Sequence, residues 1–195
     1  MKYVLASKSP RRKEILEKLG VEFEIVTADT DESSGEKDPC RLVEELSRRK
    51  GEAVRNVLLS QGRDLSDTVI ISSDTVVAVD GEILGKPKDF DDALRMLRLL
   101  SGRTHRVISG ICLIGKDTSA SAHEVTLVTF DAMSDEEIFH YVTLARPYDK
   151  AGAYAIQGEA SLWIEGIEGC YFNVVGLPVH RLNRLYREIF GENLR

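Results

Sequence analysis

The chain has 195 residues, with 26 Lys and Arg against 32 Asp and Glu, so the formal net charge is −6 at pH 7. Apolar residues make up 43% and charged residues 30%, the composition of a folded chain rather than a disordered one. The acidic balance excludes a general nucleic-acid or anionic-membrane binder, whose affinity comes from clustered Lys and Arg. A small anionic ligand in a local basic pocket stays open.

A chain of this size buries a sizeable core without disulfides or a structural metal, and residues 1–195 are expected to form one domain. Cys40, Cys112 and Cys170 are odd in number, far apart and without C-x-x-C spacing, and read as buried thiols in a reducing compartment. The short apolar start, Met1 to Ala6, is no signal-peptide core, and no run reaches a membrane span, which sets the expectation of a cytoplasmic protein.

Helical and strand-like patterns alternate along the chain, which predicts an α/β fold. Tyr3–Ala6 reads as a strand, and Ser9-Pro10 opens a helix whose face carries Ile15, Leu16 and Leu19 before Gly20. Phe23 and Ile25 suggest the next strand. Asp38-Pro39 opens a helix to about Leu59, with Leu42, Leu46, Ala53, Val54 and Val57 at helical spacing. Thr68–Ser72 is a β-branched strand, and Val76–Val79 pairs with Ile83 and Leu84 across Asp80-Gly81, a type I′ hairpin signal.

Asp91–Leu100 forms an amphipathic helix, and Val107–Ile114 and Glu124–Phe130 are strands joined by the polar loop 116–121. Ser134 with Glu137 is a capping box that starts a helix ending near Ala145. Leu162–Glu165 and Tyr171–Val175 are expected to form a second hairpin around Glu168-Gly169, and Pro178 starts a terminal helix to about Phe190. Two antiparallel hairpins in an α/β chain imply a mixed sheet.

Ser7-Lys8-Ser9-Pro10-Arg11-Arg12 lies between a strand and a helix start, where hydroxyls, guanidinium groups and unpaired N–H groups attract phosphate. The alternative is that Ser9 only caps the helix and the arginines are solvated. Lys50 falls on the apolar face of its helix, so it either snorkels at the edge or meets a polar partner. Asp74-Thr75 follows an apolar strand, where α/β proteins place ligand groups, and Asp74 is a candidate general base or metal ligand. Asp29, Asp31 and Glu32 read in isolation as a solvated loop, yet with Asp74 could supply oxygen ligands for Mg²⁺. Gly81-x-x-x-Gly85-Lys86-Pro87 is not a P-loop, since it is one residue short and Pro replaces the Ser or Thr, although Lys86 remains a candidate phosphate ligand. Residues 149–158, rich in Gly and Ala around Gln157, permit either close approach of a flat ligand or tight packing.

Taken in order, Ser7–Arg12, Ser73-Asp74-Thr75, Gly85-Lys86-Pro87, Asp149–Gly158 and Val175-Gly176-Leu177-Pro178 resemble the Maf family of nucleoside triphosphate pyrophosphatases, colinearly from about residue 3 to 180. The resemblance implies a mixed, elongated twisted sheet flanked by helices, with two lobes around a cleft as in inosine triphosphate pyrophosphatases, and a homodimer. It implies hydrolysis between the α and β phosphates with a divalent cation, Mg²⁺ or Mn²⁺, held by Glu32 and Asp74. Asp74 matches the family's proton acceptor, with Glu32 the rival base. Lys50 and Lys86 match its other catalytic positions, and Ser7, Ser9, Arg11, Arg12, Thr75 and Gln157 its substrate and specificity positions. The motif containing Lys150 and Gln157 looks like the branch acting on dTTP and UTP, and a Gln amide pairs with the N3–H and a carbonyl of uracil or thymine. 5-Modified pyrimidine nucleotides fit the same reading. A regulatory nucleotide-binding role in cell-division arrest, and a phosphatase releasing orthophosphate, are the competing readings. Ser73 and Gly51 stand where the family often has alanine.

Overall fold

The computed structural model describes residues 1–194, and residue 195, the last of the expected domain, lies outside them. Among the described residues seven strands, β1 (Lys2–Leu5), β2 (Phe23–Ile25), β3 (Thr68–Val79), β4 (Glu82–Leu84), β5 (Thr104–Ile114), β6 (Ser119–Phe130) and β7 (Ile164–Glu168), run in the order β2-β1-β3-β5-β6-β7, with β4 on β3. β1 is parallel to β2 and β3, whereas β4 is antiparallel to β3 and β7 to β6. The sheet is therefore mixed, as expected. The helices are α1 (Pro10–Lys18), α2 (Pro39–Ser60), α3 (Phe90–Leu100), α4 (Asp135–Ala145), α5 (Tyr171–Val175) and α6 (Val179–Phe190).

Contacts divide the chain into two units. The first comprises Met1–Asp74, Ser109–Glu124 and the segment beginning at Gly176; the second comprises Thr75–Ile108 and Val125–Val175. In the first unit Val4, Ala6, Ile70, Cys112 and Ile114 pack against Val54 and Leu58 of α2. α2 starts where Asp38 accepts the Cys40 N–H at 2.8 Å and Pro39 takes the first turn, a position that needs no N–H. Its buried stripe is Val43, Leu46, Ser47, Gly51, Val54 and Leu58, whereas the expected Leu42, Ala53 and Val57 are only half-buried. Small residues decide this rotation. A Cβ on Gly51 would lie 2.9 Å from both Ile114 Cδ1 and Ser72 Oγ, and one on Gly110 would lie 2.2 Å from the Val43 carbonyl oxygen. The helix thus approaches β3 and β5 more closely than larger residues allow, and the Ser72 hydroxyl donates to the Ser47 carbonyl at 2.7 Å.

In the second unit α3, α4, β4 and the inner faces of β5 and β6 enclose a core of Leu97, Leu100, Val128, Phe130, Tyr141 and Tyr154. Asp80 and Gly81 both have positive φ, the type I′ turn expected between β3 and β4. The capping box of Ser134 and Glu137 is formed.

Four expectations need correction. β3 runs unbroken over 12 residues, so Asp74-Thr75 is inside the strand rather than after it. Leu19 is 45% exposed, because it is the C-cap of α1 and not one of its helical residues. Of the cysteines only Cys112 is buried; Cys40 and Cys170 are half-buried. The second hairpin does not form: β7 pairs with β6, and Tyr171–Val175 is a helical turn. There the Thr126 hydroxyl accepts the Cys170 N–H at 3.0 Å and donates to the Cys170 carbonyl at 3.1 Å, while the buried Asn173 amide donates to the Val107 carbonyl and Thr126 Oγ1, both at 2.9 Å. These bonds to β5 and β6 satisfy polar groups that a free strand would leave unpaired, and they outweigh the strand preference of Val174-Val175.

Candidate functional site

The end of β1 and the start of α1 place Ser7, Ser9, Arg11 and Arg12 on one short segment of the first unit. Ser9 occupies the N-cap position, but its hydroxyl makes no capping bond. Instead the Ser9 N–H and Arg12 Nη1 both donate to Ser7 Oγ, each at 3.2 Å. Arg12 Nε donates to the Gly176 carbonyl at 2.8 Å, and the Ser73 hydroxyl donates to the same oxygen at 3.0 Å. One carbonyl of the Val175–Pro178 motif therefore anchors both the arginine and the strand residue next to Asp74. Burial lowers the Arg12 pKa, and the nearby carboxylates of Asp74 and Glu32 oppose that effect. The cap-only reading of the motif does not hold, because Arg12 is held inward by two bonds.

Lys50 resolves in favour of a polar partner. Its ammonium lies 2.8 Å from Glu32 Oε1 and makes a second ion pair with Asp74 Oδ1. The Lys50 side chain is 18% exposed and that of Asp74 11%, so this pair is desolvated enough to matter, whereas Glu32 at 50% is reached by solvent. The distant positions 32, 50 and 74 thus converge on one point. The neighbouring acids do not join them: Asp29 makes an exposed ion pair with Lys8 at 3.5 Å, and Asp31 bonds with Ser33, whose hydroxyl first and N–H second, the latter at 2.8 Å, lower the Asp31 pKa. For those two the solvated-loop reading holds.

Among the described residues no cluster of three or more His, Cys, Asp and Glu has metal-binding geometry. The Glu32 and Asp74 carboxylates nevertheless fit a hard cation, because both already direct an oxygen at a single positive centre. Mg²⁺ is commonly held by one or two carboxylates, the rest of its shell being water and substrate phosphate.

In the second unit Thr75 is half-buried on β3, and Lys86 is exposed in the loop after β4. The Gly152 N–H donates to the Gly85 carbonyl at 3.0 Å, which joins the segment carrying Lys86 to the one leading to Gln157. Gln157 is exposed, and Lys150 pairs with Asp149 at 2.6 Å. Within this segment Tyr154 is buried, its hydroxyl 2.7 Å from His105 Nε2, and both rings stand edge-on to Phe130. Burial pushes the His105 pKa down to about 4 and the Tyr154 pKa up.

Two features escaped the sequence reading. Arg49 donates to the carbonyls of Asp31 and Ser33, on either side of Glu32, but within Arg48-Arg49-Lys50 no spacing distinguishes it. His105 looks like any polar residue near a strand start, and only packing reveals that it is 2% exposed.

A carboxylate pair meeting a half-buried ammonium beside an inward-held arginine, on a mixed α/β scaffold, is a constellation suited to a metal-bound polyphosphate. The chain belongs to the Maf-like protein family, whose model matches residues 2–189. It is 48% identical over 190 residues to a dTTP/UTP pyrophosphatase of Carboxydothermus hydrogenoformans, covering 96% of this chain and 98% of that protein. It is 45% identical over 196 residues to one from a Thermoanaerobacter species, covering all of both chains, and 44% identical over 184 residues to one from Bacillus cereus, covering 94% and 93%. Among solved structures, the Staphylococcus aureus Ham1 protein aligns with a TM-score of 0.45 at 16% identity, covering 67% of this chain and 72% of that one. No helix among the described residues is long and apolar enough to cross a membrane.

Proposed function

We propose that this protein is a nucleoside triphosphate pyrophosphatase that hydrolyses dTTP and UTP to the monophosphate and pyrophosphate. The observation that carries the reading is the meeting of Glu32 and Asp74 at Lys50, with Arg12 turned inward nearby. Relatives of 44–48% identity that bear the dTTP/UTP pyrophosphatase name support the substrate. Removal of non-standard or 5-modified pyrimidine nucleotides is consistent with the same site.

In this reading Glu32 and Asp74 would hold a divalent cation, Mg²⁺ or Mn²⁺, which would supply charge neutralisation for the polyphosphate. Arg12, Lys50 and Lys86 add positive charge where negative charge builds on the departing pyrophosphate, and Ser7 and Ser9 donate hydroxyl hydrogens to phosphate oxygens. Asp74 accepts a proton from the attacking water, its orientation held by the Lys50 ion pair. Thr75, Arg11 and Gln157 select the nucleotide, with the Gln157 amide matching the N3–H and carbonyl edge of a uracil or thymine base. A site that pairs a base edge in this way rejects bases whose groups would stay unpaired. The family also implies a homodimer, which light scattering on the eluting protein checks.

Product analysis on dTTP, UTP, CTP, GTP, ATP and 7-methyl-GTP with Mg²⁺ tests the proposal. Pyrophosphate from dTTP and UTP is expected; orthophosphate would move the cleaved bond, and no release from any nucleotide would favour a regulatory nucleotide-binding protein.

A further inference from the structure

We propose that Arg49 is a positioning residue that fixes the Glu32 carboxylate for cation binding, acting through the backbone on either side of it. The inference rests on the reading of Glu32 as a cation donor. Glu32 sits in residues 26–38, which have no regular secondary structure. Ordering an irregular segment costs conformational entropy at every residue, so a carboxylate on this loop needs external ties to be presented in one place.

Arg49 provides them. Nη1 donates to the Ser33 carbonyl at 2.7 Å and, at a longer 3.4 Å, to the Asp31 carbonyl, while Nη2 pairs with Glu45 Oε1. Glu45 then accepts the Ser34 hydroxyl at 3.0 Å through its other oxygen, adding a second tie to the same loop. The next residue of α2, Lys50, holds the Glu32 side chain itself. Adjacent positions of one helix therefore grip the backbone and the carboxylate of the same residue. A planar guanidinium with several donors in a fork can span two carbonyls and a carboxylate; a lysine ammonium cannot hold that geometry.

The test is titration of the full chain with Mn²⁺ alone, followed by electron paramagnetic resonance, for wild type, Arg49→Gln, Arg49→Lys, Glu32→Gln and the double variant Glu32→Gln/Arg49→Gln. Arg49→Gln and Glu32→Gln are each expected to weaken Mn²⁺ binding about 10- to 100-fold, the usual cost of losing a ligand's outer support. Arg49→Lys recovers little of it. The double variant binds no more weakly than Glu32→Gln, because both changes act on one carboxylate. Amide exchange at Glu32 and Ser33 accelerates in Arg49→Gln but not in Glu32→Gln. Wild-type Mn²⁺ affinity in Arg49→Gln, or an additive double variant, overturns the inference while Glu32 remains a donor. Wild-type affinity in Glu32→Gln instead removes the donor reading and the inference with it.

Discussion

The carboxylates at Lys50 and the aromatic cluster at His105 solve the same problem, a buried polar group, in opposite ways. Around Lys50 the charges are kept and paired: one ammonium meets two carboxylates, with Arg12 tied down beside them. Around His105 the charge is given up. The imidazole is neutral, shares one hydrogen bond with Tyr154 and has no partner for its Nδ1 among the described residues. The difference follows from purpose. The proposed polyphosphate site needs fixed charge, whereas a packed aromatic support needs only shape and one directional bond.

Breaking the charged region should give the largest effect. Asp74→Asn is expected to lower pyrophosphate release by about 10²- to 10⁴-fold, the range for loss of a general base, while circular dichroism shows a folded protein. Turnover near wild type would remove Asp74 from the chemistry. Next comes Gly110→Ala, which drives a methyl group into the Val43 carbonyl and pushes α2, with Lys50 and Arg49, off the sheet. It should cost about 3 kcal/mol or more, a fall of roughly 6–12 °C in Tm for a chain of this size. Gly51→Ala should cost less, because it meets the ends of the Ile114 and Ser72 side chains rather than backbone. An equal loss for the two would refute the close-approach account.

The neutral region is sharpened by pH. The folded His105 pKa lies near 4, below its ordinary value of 6.5, so between these values the unfolded chain binds a proton that the folded chain refuses. Stability should therefore fall as pH drops from 6.5 to 4, by up to about 1.4 kcal/mol per unit, and level off below. Denaturant melts across that window, compared with His105→Phe, isolate the contribution; an unchanged slope in the variant would contradict it. The smallest effect expected is at the exposed end of the same region, where Gln157→Ala should narrow the ratio of UTP to CTP turnover by about tenfold, as for loss of one or two neutral hydrogen bonds. An unaltered ratio would remove Gln157 from base selection.

Much of this organisation was legible in the sequence. The Asp80-Gly81 turn and the Ser134–Glu137 cap depend on local chemistry, where two to four adjacent residues decide the backbone. The mixed sheet was expected from two hairpins, of which only the one at Asp80-Gly81 forms, and β7 pairs antiparallel with β6 instead. The second hairpin was misread for the complementary reason: Tyr171–Val175 has strand-forming residues, but its conformation is set by Thr126 and Asn173 bonding across to β5 and β6. A motif pointed to Asp74, an apolar helix face to Lys50 and the family resemblance to Glu32, yet spacing alone could not show that they meet at one ammonium.

The sequence by itself determined the fold class, the type of most elements though not of Tyr171–Val175, and the inventory of charged groups. Tertiary structure alone decided which face of α2 is buried, which of the acids at 29, 31 and 32 meets Lys50, and that Arg49 differs from its neighbour Arg48. The physical reason is range. Hydrogen-bonded turns and caps are settled within a few residues, whereas ion pairing and desolvation depend on surroundings assembled from segments far apart in the chain.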